Sequence, residues 1–139
     1  MSVVAMERRL YYRVPLQVSI VVTNDHGVSI EVLAIDISSD GLSMQCDINQ
    51  RNLITPGGSF VRDGRPVAVC VHLDLPGESE DLPKIVARCH VKFSRRISSD
   101  ECKIGVRYVE FEGDGYKRIV QFVEKSLTTI PLMGGVLVS

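Results

Sequence analysis

Residues 16–37 have the sequence LQVSIVVTNDHGVSIEVLAIDI, in which two runs rich in β-branched residues flank a short polar segment. β-branched side chains favour extended backbone, whereas the Asn, Asp and Gly of residues 24–27 tolerate the positive φ angles of tight turns. The stretch therefore predicts a strand over 16–23, a tight turn, and a second strand over 28–37. This hairpin places the chain among the β proteins.

The rest of the chain continues this pattern. Ser38-Ser39-Asp40-Gly41 is typical of a second turn, and further strands are predicted over residues 42–45, 66–75, 84–93 and 103–111. The segment 47–58 is rich in Asn, Gln, Pro and Gly and shows little periodicity, and residues 47–65 as a whole match no regular pattern. We therefore expect a surface loop there.

One helix is predicted near the C-terminus. It begins at Asp114, a good N-cap residue, and apolar side chains recur along it at helical spacing. The residues predicted on its apolar face are Tyr116, Ile119, Val120, Val123 and Leu127. Because closure removes exposed strand edges, the sequence predicts a mainly β fold: a small antiparallel six- or seven-stranded β-barrel with a C-terminal α-helix. Residues 1–15 are predicted to be a flexible N-terminal arm, 16–130 the barrel with its closing helix, and 131–139 an apolar tail.

Composition narrows the possible functions. A length of 139 residues fits one domain, and the four cysteines contain no Cys-x-x-Cys pair, so we expect buried thiols rather than a zinc site. The apolar stretch 130–138 is far shorter than the roughly 20 residues that cross a bilayer, so membrane insertion is not expected. No signal-peptide pattern precedes the cysteines, because the short stretch 1–6 is followed at once by charged residues, and a cytoplasmic location is therefore expected. A net charge of −1 disfavours broad binding to nucleic acid. Any site for an anion must be local.

The predicted arm carries the first candidate motif. Arg9 and Arg13 are four residues apart, and Arg8 adds a third guanidinium shortly before Pro15. A guanidinium is planar and always charged, its donors match the oxygens of a phosphate, and it stacks on flat bases. By itself an Arg-x-x-x-Arg pair is also compatible with ordinary surface charge.

The second motif is Asp36-x-Ser38-x-x-Gly41, at the end of a predicted strand. The Asp36 carboxylate can accept two hydrogen bonds from the N–H and amino edge of a guanine, and Ser38 can donate or accept beside it. Gly41 permits a turn, which we expect at positive φ. A hairpin turn that binds nothing is the alternative interpretation.

Taken together, these residues resemble the signature of the PilZ family, Arg-x-x-x-Arg in an N-terminal arm followed by Asp or Asn-x-Ser-x-x-Gly on a barrel. The resemblance covers residues 7–127 and implies a receptor for cyclic di-GMP, with no other cofactor and no metal. It further implies that Arg8, Arg9 and Arg13 contact phosphate or stack on guanine. Asp36 and Ser38 would recognise the guanine edge on the turn that Gly41 permits.

The resemblance also implies how such a receptor would signal. The arm is expected to fold over one or two ligand molecules, and the signal would then pass in trans to an unidentified effector protein. A monomer or a weak homodimer is expected.

Three alternatives compete with this hypothesis. A PilZ-like module that binds only protein remains the alternative. Catalysis is not expected, because the sequence contains no Gly-x-Ser-x-Gly, P-loop or His-Glu-x-x-His pattern. An oligonucleotide-binding barrel is disfavoured by the net charge and by the scarcity of aromatic residues, which number four Phe, four Tyr and no Trp.

Overall fold

A computed structural model describes the backbone of residues 12–138 and the side chains of residues 12–127. Within these described residues the chain forms eight strands and two α-helices. The strands are β1 (Val14–Thr23), β2 (Ser29–Ile37), β3 (Gly41–Asp47), β4 (Val61–Arg62), β5 (Arg65–Pro66), β6 (Ala68–Leu73), β7 (Ile85–Arg96) and β8 (Glu101–Phe111). The helices are α1 (Ile48–Ile54) and α2 (Gly115–Val138), and a single 3-10 turn spans Pro56–Gly58.

Six of the strands close into an antiparallel barrel in the order β1-β2-β3-β8-β7-β6, and β6 pairs with β1 to complete the ring. The predicted antiparallel barrel with a C-terminal helix is confirmed, with six strands. β7 and β8 are longer than the sequence suggested, because the polar segment between them continues the ladder as far as the pair of Arg96 and Cys102.

Alternation along the strands fills the barrel interior with apolar side chains. On β3 the inward positions are Leu42, Met44 and Cys46, while Ser43 and Gln45 lie on the outer face between them. The same period of two puts Val69, Val71 and Leu73 of β6 in the core. Burying one face of every barrel strand fixes the register, since a slip of one residue would turn apolar side chains outward.

The predicted loop over residues 47–58 is wrong, because α1 forms there. Asp47 is its N-cap and accepts a hydrogen bond from the backbone N of Gln50 at 2.7 Å, while the Gln50 side chain accepts from the backbone N of Asp47 at 2.9 Å. This reciprocal capping box satisfies donors that a helix start otherwise leaves unpaired. Ile54 anchors the helix in the core with 1% of its surface exposed.

Helix α2 closes the barrel through a narrow apolar face. Ile119 and Val123 are buried, whereas Tyr116, predicted on the same face, is 44% exposed and instead packs its ring on Phe111 at 5.3 Å between centroids. Tyr116 stays outside the core because Gly115 already lies against the barrel. A Cβ at Gly115 would be 3.0 Å from the Phe111 ring.

Arg118 fixes α2 to the segment between β6 and β7. Its guanidinium donates to both carboxylate oxygens of Glu78, at 3.0 and 2.5 Å, and to the backbone O of Pro83 at 2.8 Å. The Arg118 side chain is only 8% exposed, so this two-pronged ion pair is shielded from water. The start of α2 is therefore held firmly at one end of the barrel.

The prediction of buried thiols is confirmed for three of the four cysteines and not for Cys70, which is only partly buried. All four are free thiols, and Cys46, Cys89 and Cys102 are buried. Burial raises the pKa of Cys46 and of Cys89 to about 12. Within residues 12–138, no helix combines the length and apolar character needed to cross a membrane.

Candidate functional site

Arg13, the one arginine of the first motif within the described residues, meets the second motif on the outer face of the barrel. Arg13 immediately precedes β1, and the pairing of Val14 with Ile37 brings it beside Asp36 at the end of β2. The Arg13 Nε and a terminal nitrogen lie 2.7 and 2.6 Å from the same carboxylate oxygen, Oδ1 of Asp36. Residues 23 positions apart in the sequence thus form one charged pair.

This pair is partly shielded from solvent. The exposed fractions are 32% for the Arg13 side chain and 18% for that of Asp36. Arg13 also donates to Ser43 Oγ at 3.2 Å and, at the longer distance of 3.5 Å, to Ser38 Oγ. The donors of Arg13 therefore reach three side chains, which belong to β2, to β3 and to the turn between them. Arg8 and Arg9, the other arginines predicted at this site, lie outside the described residues.

Ser38 organises the turn between β2 and β3. Its hydroxyl oxygen accepts from the backbone N of Asp40 and of Gly41, both at 3.1 Å, and lies 3.2 Å from the Gly41 carbonyl oxygen. The residue has no exposed surface. Ser38 therefore shapes the turn, and its predicted contact with a ligand stays a prediction that requires Arg13 or the turn to move.

Gly41 does not adopt the positive φ that the sequence led us to expect. It is required for a different reason: a Cβ at this position would lie 1.9 Å from the carbonyl oxygen of Val106 and 2.9 Å from its carbonyl carbon. No real Cβ tolerates such contacts, and the obstacle is the backbone of β8. Glycine therefore permits β3 to approach β8 closely directly behind the motif.

Tyr108, near the end of β8, holds the same turn through its hydroxyl group. Its hydroxyl lies 3.0 Å from the carbonyl oxygen of Ser38 and 3.1 Å from that of Gly41, and so donates to the turn backbone. Burial raises the pKa of Tyr108 well above its ordinary value. Sequence reasoning assigned this residue only to a strand, because a tyrosine within a β pattern carries no sign of what its hydroxyl contacts.

The outer face continues from Ser43 across two more strands. Ser43 pairs with Gly105 of β8, and Gly105 pairs with Phe93 of β7. A Cβ on Gly105 would lie 2.1 Å from the Phe93 ring, so the glycine provides the space in which that ring lies. The guanidinium carbon of Arg95 is 4.9 Å from the ring centroid. A flat aromatic surface with a cation over it therefore lies two strands away from the Arg13 pair.

Further cations lie on this face. Lys103 and Arg107 flank Gly105 at alternate positions of β8, in register with Gln45 and Gly41 of β3. Together with Arg13 and Arg95 they concentrate positive charge on one surface of a chain whose net charge is −1. A local cluster of cations of this kind has the charge that suits an anion.

Metal ions in proteins are bound by clusters of ligand side chains. The described residues contain no cluster of three or more His, Cys, Asp or Glu side chains able to hold a metal ion. The chemistry that this face offers is hydrogen bonding, charge pairing and stacking.

Solved structures share the fold. MotI/DgrA of Bacillus subtilis, described as an inhibitor of motility, matches with a TM-score of 0.63 and 18% identity over 88% of this chain and 52% of that one. The PilZ domain of Escherichia coli YcgR with c-di-GMP matches with a TM-score of 0.56 and 6% identity, over 92% of this chain and 98% of the other. The chain thus spans about half of the first protein and nearly all of the second.

A third structure, PlzA of Borreliella burgdorferi in complex with c-di-GMP, has a TM-score of 0.53 and 8% identity, over 88% of this chain and 54% of PlzA. No curated protein sequence matches the chain. The family model for the PilZ domain, in contrast, matches residues 7–125, a span that includes both motifs and the start of α2. The chain belongs to the PilZ domain family.

Proposed function

We propose that this chain is a cyclic di-GMP receptor that passes the second-messenger signal to a partner protein. The observation that carries the proposal is the meeting of Arg13 with Asp36 and Ser43 at one point of the barrel's outer face. Family membership and two structural neighbours described as complexes with c-di-GMP support it.

Arg13 has the chemistry to bind phosphate in this ligand. Its guanidinium presents several donors in one plane, and that plane is already oriented by Asp36 and Ser43. Pre-orientation lowers the entropy lost on binding. Arg8 and Arg9, which belong to the same motif, are proposed to supply further phosphate and base contacts.

Asp36 is proposed to recognise guanine. A carboxylate accepts hydrogen bonds on both oxygens, so Asp36 can hold Arg13 through Oδ1 and receive a guanine N–H and amino group through the remainder of its acceptor capacity. Ser38 would join this contact if the turn adjusts on binding.

The Phe93 ring extends the proposed site by a stacking surface. Bases stack on aromatic rings with about 1–3 kcal/mol per base. Arg95 lies over the ring, and a guanine could replace it or lie against its guanidinium plane. Arg107 and Lys103 would attract the two negative charges of the ligand to this face.

Calorimetric titration tests the receptor proposal directly. Cyclic di-GMP should bind saturably, whereas GTP, which shares the guanine but not the ring closed by two phosphodiesters, should bind far more weakly. Recovery of intact cyclic di-GMP after incubation would support a receptor rather than an enzyme. If cyclic di-GMP does not bind at all, the protein-binding module becomes the better proposal.

Substitutions at two residues locate the binding site. Arg13→Ala should abolish measurable binding, and Arg13→Lys should fail substantially as well, because lysine has no planar fork. Asp36→Ala should cost on the order of 2–3 kcal/mol of binding free energy, since a guanine edge loses its acceptor. Arg65→Ala, which removes an exposed arginine from β5, is the matched control and should bind like the parent. Normal binding by Arg13→Lys would mean that simple charge attraction suffices.

A further inference from the structure

A second concave site lies on the opposite side of the turn between β2 and β3. It is a pocket of about 450 Å³, within the range of about 300–1,000 Å³ that is usual for ligand pockets. Asp40 of the turn, Tyr108 and Glu110 of β8, and Tyr116 of α2 line it. None of these residues is a hydrogen-bond partner of Arg13. Burial raises the pKa of Tyr108, and the charge of Arg13 acts on the same residue and partly offsets that rise.

Three aromatic rings form the wall of this pocket. Tyr108 and Phe111 meet edge to face at 4.9 Å between centroids, and Phe111 meets Tyr116 at 5.3 Å. Tyr116 is 44% exposed, although its ring lies over an apolar neighbour. Aromatic faces carry negative partial charge and attract cations.

Two carboxylates stand at the mouth of the pocket. The side chains of Asp40 and Glu110 are 63% and 71% exposed. Each has a cation at the edge of contact range, Lys92 at 3.9 Å from Asp40 and Arg88 at 3.7 Å from Glu110. Such long, exposed ion pairs contribute little to stability, so an incoming cation can displace Lys92 or Arg88 at a small cost in free energy.

We propose that this pocket receives an arginine side chain from the partner protein. Aromatic walls with carboxylates at the rim suit a planar cation, which stacks on Tyr116 while its donors reach Asp40 and Glu110. The same charges repel phosphate, so the pocket is not an extension of the anion-binding face. A partner with an exposed arginine fits it by charge complementarity.

The turn connects the pocket to the first site. Asp40 faces the pocket, whereas Ser38, two residues earlier, lies within reach of Arg13. Tyr108 lines the pocket and donates to the carbonyl oxygens of Ser38 and Gly41. Any shift of the turn at one site therefore moves groups at the other. This coupling, unlike the pocket itself, rests on the proposed binding of cyclic di-GMP.

A titration followed by amide NMR tests the pocket. The probe is N-acetyl-arginine methylamide, and its uncharged near-isostere N-acetyl-citrulline methylamide is the control ligand. The arginine probe should shift the amide signals of Asp40, Val109 and Tyr116 saturably, and the citrulline probe should not. Equal shifts with both probes, or no saturation up to the solubility limit, would overturn the proposal.

Variants of the pocket residues show which side chains contact the arginine probe. Tyr116→Leu and Glu110→Gln should each weaken the arginine probe at least roughly threefold, as expected for the loss of one cation–π or charge contact at an exposed site. Glu31→Gln, which removes an exposed carboxylate from β2, matches the change in net charge and should leave the affinity unchanged. If Glu31→Gln weakens binding as much as Glu110→Gln, the probe responds to overall charge and no pocket is involved.

The coupling has its own measurement. Saturation with cyclic di-GMP should change the dissociation constant of the arginine probe, and the probe should change that of cyclic di-GMP by the same factor. If both ligands bind with unchanged constants, the turn does not couple the sites. If cyclic di-GMP fails to bind while the arginine probe still saturates, the receptor proposal falls and the pocket remains.

Discussion

Gly41 illustrates how a motif residue can be recognised for the wrong reason. The sequence suggested a positive φ, whereas the structure shows a steric limit imposed by the Val106 carbonyl. The distinction matters because a φ preference would tolerate asparagine, while a backbone contact excludes every side chain. The steric explanation can be tested by replacing Gly41, which a backbone contact restricts, and Gly27, which has a positive φ.

Gly41→Ala should destabilise the protein severely, beyond the roughly 1–3 kcal/mol typical of overpacking, because neither β3 nor β8 can yield without breaking its ladder. Gly27→Ala is the comparison: Gly27 has φ of 80° and nothing within 4 Å of its added Cβ, so only the φ penalty of about 1–2 kcal/mol applies. Urea denaturation measures both. A Gly41 variant as stable as the Gly27 variant would refute the steric explanation.

Tyr108 should make stability depend on alkaline pH. Burial raises its pKa in the folded state, so the unfolded chain ionises first, near pH 10, and binds fewer protons than the folded one. The stabilisation is therefore complete below about pH 10 and is lost as pH rises towards the folded-state pKa.

Tyr108→Phe should lower stability near pH 7 by about 1 kcal/mol, through the lost hydroxyl contacts, and should flatten the fall in stability above pH 10. Part of the fall would persist, because the pKa values of Cys46 and Cys89 are also raised. Urea denaturation from pH 8 to 11 measures the slope, and an unchanged slope in the variant would show that Tyr108 does not cause it.

Some residues of the candidate site could be predicted from the sequence, and others could not. Arg13 and Asp36 belong to sequence motifs, so their binding chemistry can be predicted before the fold is known. Ser43 and Phe93 are ordinary members of β patterns. Their closeness to Arg13 and to each other arises from the register of β1, β2, β3, β8 and β7. Register between distant strands depends on packing of the whole barrel, which no local pattern encodes.

Among the elements, the barrel strands and α2 were predictable because apolar periodicity persists over many residues. Helix α1 has only seven residues, too few for periodicity to stand out. Its sequence did contain a signal, since Asp47 followed three residues later by Gln50 is a capping-box pattern. Asp63-Gly64 is a similar overlooked signal, and it forms the turn between the short strands β4 and β5.

The capping box should control the stability of α1. Asp47→Ala removes the acceptor for the Gln50 backbone N and should cost about 1 kcal/mol. Asn49→Ala, an exposed substitution inside the same helix, should cost nothing or stabilise slightly, because alanine is the better helix former. Thermal or urea denaturation of the two variants gives the comparison, and equal stabilities would contradict the assigned role of the cap.

At the scale of the whole molecule, the proposed ligand site and the pocket use one rigid end of the barrel. The turn from Ser38 to Gly41 is fixed from within by Tyr108, and α2 is fixed nearby through Arg118 and Glu78. Rigid surroundings transmit a small displacement of the turn instead of absorbing it. The opposite end carries α1 and the short strands β4 and β5, away from this arrangement.

The closure of the barrel is uneven, which predicts where it opens. β1 and β6 share only three paired positions, Val21 to Thr23 with Cys70 to His72, whereas β3 and β8 pair over seven positions from Gly41 to Asp47. Fewer ladder hydrogen bonds mean a lower free energy of local opening. In native-state hydrogen exchange, amides that point across the β1–β6 seam should therefore exchange at lower free energy than those between β3 and β8. Because Val22 and Val71 beside the seam are fully buried, equal protection of both seams would show that core packing, not the ladder, governs opening.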